Sequence, residues 1–204
     1  MRPAALALTL YVIYLATAFG LRSWLHWRRT GSMGFRGFHG KPGSAGWWGA
    51  VLFVLAVAAG IAAPILQLSG VVAPIAALHG TVGHATGFAL ALAGILATLA
   101  AQQAMGTSWR IGVDPAETTT FVRTGIFGLV RNPIFTAMLA TAAGLALLAP
   151  NPVALTAFAA LLAAIELQVR TVEEPYLQRT HGRDYRTYSA QVGRFLPGIG
   201  RTSH

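Results

Sequence analysis

Cysteine is absent from the 204 residues. Disulfides, thiolate catalysis and cysteine-ligated metals are therefore excluded. Charge is also scarce. Only 10% of the residues are Asp, Glu, Lys or Arg, against about 25% in a soluble domain, and the mean hydropathy is +0.57. There is no H-x-x-x-H or H-E-x-x-H spacing among the histidines, and His79 and His84 stand without nearby carboxylates, which argues against a metal centre. No G-x-S-x-G supports a Ser-His-Asp hydrolase, no G-x-G-x-x-G supports a Rossmann domain, and no nucleic-acid-binding pattern or internal repeat is present.

The chain does have long apolar runs, and the composition is that of an integral membrane protein of one domain. Five segments are expected to span a bilayer: about Pro3 to Leu25, Trp47 to Leu68, Val82 to Met105, Ile134 to Ala149, and Pro152 to Val169. The first runs too long for a signal peptide and has no convincing small-x-small cleavage site, so it reads as a transmembrane helix. Trp47 and Trp48 open the second as an interfacial anchor, and Pro64 is placed to kink its far end. Gly83, Gly87 and Gly94 in the third permit close helix approach. Pro150-Asn151-Pro152 cannot continue a helix, so the last two segments form a hairpin.

The net charge of +9 is read as orientation. Fourteen of the fifteen Lys and Arg residues fall on one side of these spans, with Arg2 alone opposite. The positive-inside rule places the N-terminus outside, and the C-terminus and any site near it in the cytosol. The chain thus reads as a multi-pass protein of a bacterial inner membrane. The basic, glycine-rich loop Arg28 to Gly46 is a solvated positive-inside loop on this reading. Residues 1–105 form a three-helix scaffold. Residues 106–204 form a catalytic region of connecting loop, hairpin and C-terminal helical tail within the same structural domain.

Four of the six carboxylates, Glu166, Glu173, Glu174 and Asp184, lie between Arg123 and Pro197. Arg131 precedes Asn132-Pro133, where proline presets a helix start, so guanidinium and helix dipole together suit an anion. At the other end of the hairpin, Arg170 lies four residues after Glu166, three before Glu173 and four before Glu174, and all three pairs are possible on one helix face. These carboxylates read either as an internal ion-pair ladder or as a site for an ammonium group or ribose hydroxyls. The tail Tyr176, Tyr185, Tyr188, Val192 reads as an amphipathic helix or as an aromatic wall for a heterocycle, and His181 as structural. Thr118 to Val122 is β-prone and could run extended along a cofactor.

Two blocks carry a family resemblance. Gly125-Ile126-Phe127 with Arg131-Asn132-Pro133-Ile134-Phe135 forms the first. Glu173-Glu174-Pro175-Tyr176-Leu177 with Gly182, Tyr185, Tyr188, Val192, Arg194-Phe195 and Pro197 forms the second. In this order and distance they resemble the isoprenylcysteine carboxyl methyltransferase family, over about residues 106–198. The resemblance implies an all-α integral membrane methyltransferase that uses S-adenosylmethionine without a Rossmann domain. It also implies a lipophilic small-molecule or lipidated acceptor arriving from the bilayer, and no nucleic-acid partner. The cofactor-binding residues it implies are Thr120, Phe121, Val122, Gly125, Phe127, Asn132, Pro133, Phe135, Glu173, Glu174, Tyr185 and Tyr188. Arg131, Arg170 and Glu174 are the catalytic candidates. The chain departs from the family where Asn132 replaces a common His and where Phe127 and Phe135 replace Tyr. These departures leave the acceptor open between a carboxylate and another nucleophile. Two other classes compete: an NADPH-dependent membrane reductase of the sterol-reductase type, and a non-catalytic lipid-binding membrane protein.

Overall fold

The computed structural model describes residues 2–34, 41–109 and 121–202. Within them the chain is helical, with four helices long and apolar enough to cross a membrane and one shorter apolar helix. Helix α1 is Pro3–Thr30, α2 is Ala45–Leu68 and α3 is Thr81–Met105. Helix α4 is the short one, Pro133–Leu148. Helix α5 is Pro152–Gln168, and a π-helical turn, Val169–Glu173, joins it to α6, Glu174–Gln191. No strand occurs among the described residues, and a helix stands at each of the five expected spans, four of them long enough to cross, as in a multi-pass integral membrane protein. Their boundaries shift by a residue or two, except that α1 runs on to Thr30 through the amphipathic stretch RSWLHWRRT. Pro64 lies inside α2 without ending it.

The bundle is built from two tight pairs, α3 against α4 and α2 against α5, with α1 packed across α2 and α4. Lipid tails are as apolar as leucine, so membrane helices associate through close packing rather than hydrophobic exclusion. Small residues provide it here. A Cβ on Gly87 would lie 2.8 Å from the Gly144 carbonyl oxygen, and one on Gly94 would lie 2.6 Å from the Thr141 nitrogen. Gly83, expected to join this interface, instead abuts the carbonyl of Leu78 in the preceding loop.

The α4–α5 turn is fixed by Asn151, which is fully buried. Its Oδ1 accepts from Ala154 N at 3.0 Å and so caps α5. Its Nδ2 donates to Ala63 O at 3.1 Å and to Gln67 Oε1 at 2.9 Å on α2. One side chain thus closes the hairpin and ties it to its neighbour. At the other end of the bundle, buried Arg22 of α1 donates through Nη2 to the carbonyls of Gln102 (3.2 Å) and Gly106 (2.6 Å). It caps the C-terminus of α3, where the helix dipole favours a cation. Trp109 lies 4.8 Å from the Arg22 guanidinium.

Candidate functional site

The sequence candidates converge where α4 begins and α6 begins. Their meeting depends on the π-helical turn. A π turn adds a residue to the helical repeat and rotates everything after it. Val169, at the start of the turn, is completely buried, whereas Arg170 is exposed. Arg170 donates to Glu166, four residues back on the same helix. Of the three carboxylate pairings open to Arg170 by spacing, this one forms. Beyond the turn, Glu174 faces the entry of α4.

Glu174 is held by two guanidiniums. Arg131 Nη2 donates to its Oε1 at 2.8 Å. Arg194 forks onto both oxygens, Nε to Oε1 at 2.7 Å and Nη2 to Oε2 at 3.0 Å. Burial alone would raise the Glu174 carboxyl, but the hydrogen bonds and charges of Arg194 and Arg131 outweigh it and hold the group below its ordinary value. Glu174 in turn raises the Arg194 guanidinium, against the opposing effect of burial.

Arg131 does more than pair. Its side chain is 2% exposed. Nη1 donates to the carbonyls of Ser189 (2.8 Å) and Val192 (2.9 Å), and Nη2 donates also to Gly200 O at 3.1 Å. Its Nε is buried without a hydrogen-bond partner. The guanidinium thereby gathers α6 and the C-terminal strap, residues 192–202, around the entry of α4. Backbone bonds complete the seam: Arg131 N to Gly193 O at 2.8 Å and Asn132 N to Arg194 O at 3.1 Å. Asn132 is the N-cap residue of α4, but its side chain makes no capping bond and donates from Nδ2 to Arg194 O. Pro133 opens the helix as expected and is buried. Phe135 packs on the bundle core below.

An aromatic group stands beside this clamp. Gly182 holds φ +47° inside α6, a conformation that L side chains rarely adopt, and it breaks the helical path between His181 and Tyr185. As a result Phe121 stacks on His181 at 4.8 Å between centroids and meets Tyr188 edge-on at 5.2 Å, with Tyr185 at 6.0 Å. The Tyr188 hydroxyl donates to the carbonyl of buried Phe127. Phe127 lies in the short turn Gly125–Gly128, which Gly125 opens at φ +63°. Burial pushes the Tyr188 phenol up to about 12, so it remains a neutral donor. His181 Nε2 is buried without a partner.

Among the sequence candidates, Arg131, Asn132, Pro133, Glu174, Tyr185 and Tyr188 are brought together, with Phe121 and Phe127 alongside. Glu173 lies in the π turn, partly buried. Val122 follows Phe121, also partly buried. Thr120, and with it Thr118 and Thr119, lie outside the described residues. Sequence reasoning quoted Arg194 only as part of a motif. Its role as the second arm of the clamp, twenty residues from Glu174, has no signature at helical spacing.

The phospholipid methyltransferase family model matches residues 82–184, half of the chain. The chain belongs to this family. The family is the isoprenylcysteine carboxyl methyltransferase-like group of integral membrane methyltransferases, so the resemblance carried by the two motif blocks holds. Family membership makes the chain a membrane methyltransferase and disfavours the reductase and the non-catalytic readings. The match starts at the head of α3, takes in the α4 entry and the hairpin, and ends at Asp184, before Tyr185, Tyr188 and Arg194. No curated protein and no solved structure matches the chain.

Proposed function

We propose that this protein moves a methyl group from S-adenosylmethionine to a carboxylate on a lipophilic acceptor, with residues 1–105 as scaffold and residues 106–204 carrying the chemistry. The observation that supports it most is the clamp Arg131–Glu174–Arg194 standing beside the aromatic group Phe121, His181, Tyr185 and Tyr188. The residues present suit such a cofactor. The aromatic faces offer stacking for a purine. The unpartnered His181 Nε2 offers it a polar contact, and Glu173 offers charge for an ammonium group or acceptors for ribose hydroxyls, while Glu174 acts by holding Arg131 and Arg194. The first turn of α4, uncapped by Asn132, offers backbone donors for a carboxylate, with the buried Arg131 charge behind it.

When bound, the cofactor supplies an electrophilic methyl carbon on a sulfonium. A carboxylate accepting that methyl group would need no proton removed, the C–O bond forming as the C–S bond breaks and a neutral thioether leaves. The protein's own task is then positioning and the exclusion of water. In this reading Arg131 orients the carboxylate and Glu174 fixes Arg131. Phe121, Val122, Gly125, Phe127, Asn132, Pro133 and Phe135 shape the pocket wall. Arg170, paired outward with Glu166, is the weakest of the catalytic candidates.

The family description favours a second acceptor, the amine of a phospholipid head group. One experiment separates the two. The protein in bilayers is given methyl-labelled S-adenosylmethionine and a lipid extract, and the labelled product is treated with mild alkali. An ester releases its label as volatile methanol, which is the expected result. A non-volatile label that survives alkali on the head-group amine assigns the amine instead, and no labelled lipid before alkali refutes both.

A further inference from the structure

The C-terminal strap carries two large apolar side chains that are mostly exposed. Leu196 is 53% exposed and Ile199 is 64% exposed. They flank Pro197-Gly198 in a tight turn, with Ile199 N donating to Leu196 O at 3.1 Å and Arg194 N donating to Ile199 O at 2.8 Å. Exposed leucines on a spanning helix face lipid as a matter of course. These two are on an irregular tail beyond the last helix, where a polar turn would ordinarily be found.

The depth of the turn follows from helix lengths. With 16 residues at about 1.5 Å each, α4 is about 24 Å long, short of a hydrocarbon core of about 30 Å. Its partner α3 has 25 residues and overshoots it. Gly94 of α3 sits against Ala137 and Thr141, so in this antiparallel pair Pro133 is level with about residues 98–102 of α3. Helix α3 continues to Met105, so the entry of α4 is set back from the C-terminal end of α3 by roughly one helical turn. The strap is bonded at that depth. Asn132 N donates to Arg194 O, and Thr136 Oγ1, one turn into α4, donates to Phe195 O at 2.8 Å. Phe195 itself packs on the bundle core. Irregular backbone at this level must be satisfied by protein, and the strap does this for Arg131 and Asn132 while presenting Leu196 and Ile199 outwards.

We infer that the turn at residues 195–200 is a membrane-dipping tip, whose partner is the acyl region of the leaflet on the side of the candidate site. Exposed Arg201, just beyond it, is placed to meet the anionic head groups of that leaflet. The inference concerns the tail's surroundings and stands whether or not the acceptor is a carboxylate. It ties the lipid surface to the clamp, because the turn that carries Ile199 also sets the backbone of Arg194, whose guanidinium holds Glu174.

The cysteine-free chain allows a direct test. Nitroxide labels are placed at Ile199→Cys and, separately, at Leu196→Cys in the full-length protein in phospholipid nanodiscs. Two references accompany them: Leu96→Cys on the lipid-exposed side of α3 and Thr187→Cys on the exposed side of α6. Power saturation then compares collisions with oxygen and with a water-soluble nickel chelate. The expected result is oxygen collisions exceeding nickel collisions at one or both tip positions, as at Leu96→Cys. Nickel-dominated collisions at both positions, as at Thr187→Cys, overturn the inference. So does dipolar broadening at the tip, which would put a second copy of the chain against it.

Discussion

Replacing Glu174 with Gln tests the clamp at its centre. The substitution keeps the shape and one acceptor oxygen but removes the charge between two guanidiniums. Arg131 is 2% exposed and Arg194 11% exposed at the side chain, with Glu174 itself at 17%. Three charge-assisted hydrogen bonds of 2.7–3.0 Å are weakened together. Removing one partner of a buried pair costs about 3–5 kcal/mol. Residual exposure of Glu174 and Arg194 puts this case at the lower end, about 3 kcal/mol. For a chain of this length each kcal/mol moves Tm by roughly 2–4 °C, so Glu174→Gln is expected to lower Tm by about 6–12 °C at pH 7. Thermal unfolding in nanodiscs measures it. The sign with pH is fixed as well. The folded-state carboxyl lies below its ordinary value. Its contribution is therefore complete above the unfolded value of about 4.3 and is lost as pH falls through the folded value. The gap between wild type and Glu174→Gln should hold from neutral pH down to about 5 and close in stronger acid. A Tm change under about 2 °C at pH 7, or a gap that widens in acid, would refute the reasoning.

Three further outcomes follow from the geometry. Arg170→Ala removes an exposed pair and should change stability by no more than about 1 kcal/mol while leaving methyl transfer intact; a large loss of activity at unchanged stability would restore Arg170 to the reacting centre. Tyr188→Phe loses the bond to the Phe127 carbonyl, at a cost of about 1 kcal/mol by thermal unfolding, and should weaken cofactor binding by loosening the turn that Phe127 occupies, whereas unchanged binding would remove that turn from the pocket. Gly144→Ala drives a methyl group to 2.6 Å from the Gly87 carbonyl oxygen, so it should destabilise the α3–α4 pair by about 1–3 kcal/mol, and a neutral result would show that this pair is not in contact as described.

The spans were legible because bilayer thickness imposes long uncharged runs, and Pro133, Pro152 and Asn151 mark helix starts by local chemistry. The small-residue interface was half legible. Gly87 and Gly94 do face α4, but Gly83 does not, since sequence shows where a helix is slim without showing which side meets a neighbour. At the site, local motifs brought forward Arg131, Glu174 and the tyrosines. The clamp itself was not legible. Glu174 reaches Arg131 because a π turn rotates α6, and it reaches Arg194 because the strap folds back onto Asn132. Both are tertiary events with no helical period in sequence. The expected Arg170 pairings had three equivalent spacings; the pair with Glu166 forms, while Glu174 turns to Arg131 and Arg194. Buried Arg22 and Gln102 carried no signal either, nor did the bonds that Asn151 makes to α2. The partners lie eighty or more residues away in sequence.

The central claim is that the clamp Arg131–Glu174–Arg194 and the α6 aromatics beside it bind S-adenosylmethionine. Its most direct test is the thermal shift of the full-length protein in nanodiscs with S-adenosylhomocysteine, with NADPH and with no ligand. At a ligand concentration about 100-fold above Kd, binding to the folded state alone adds about 2.7 kcal/mol, which is a rise of roughly 5–11 °C on the same scale. The account predicts that rise with S-adenosylhomocysteine and none with NADPH. A rise with NADPH alone, or with neither, would contradict it.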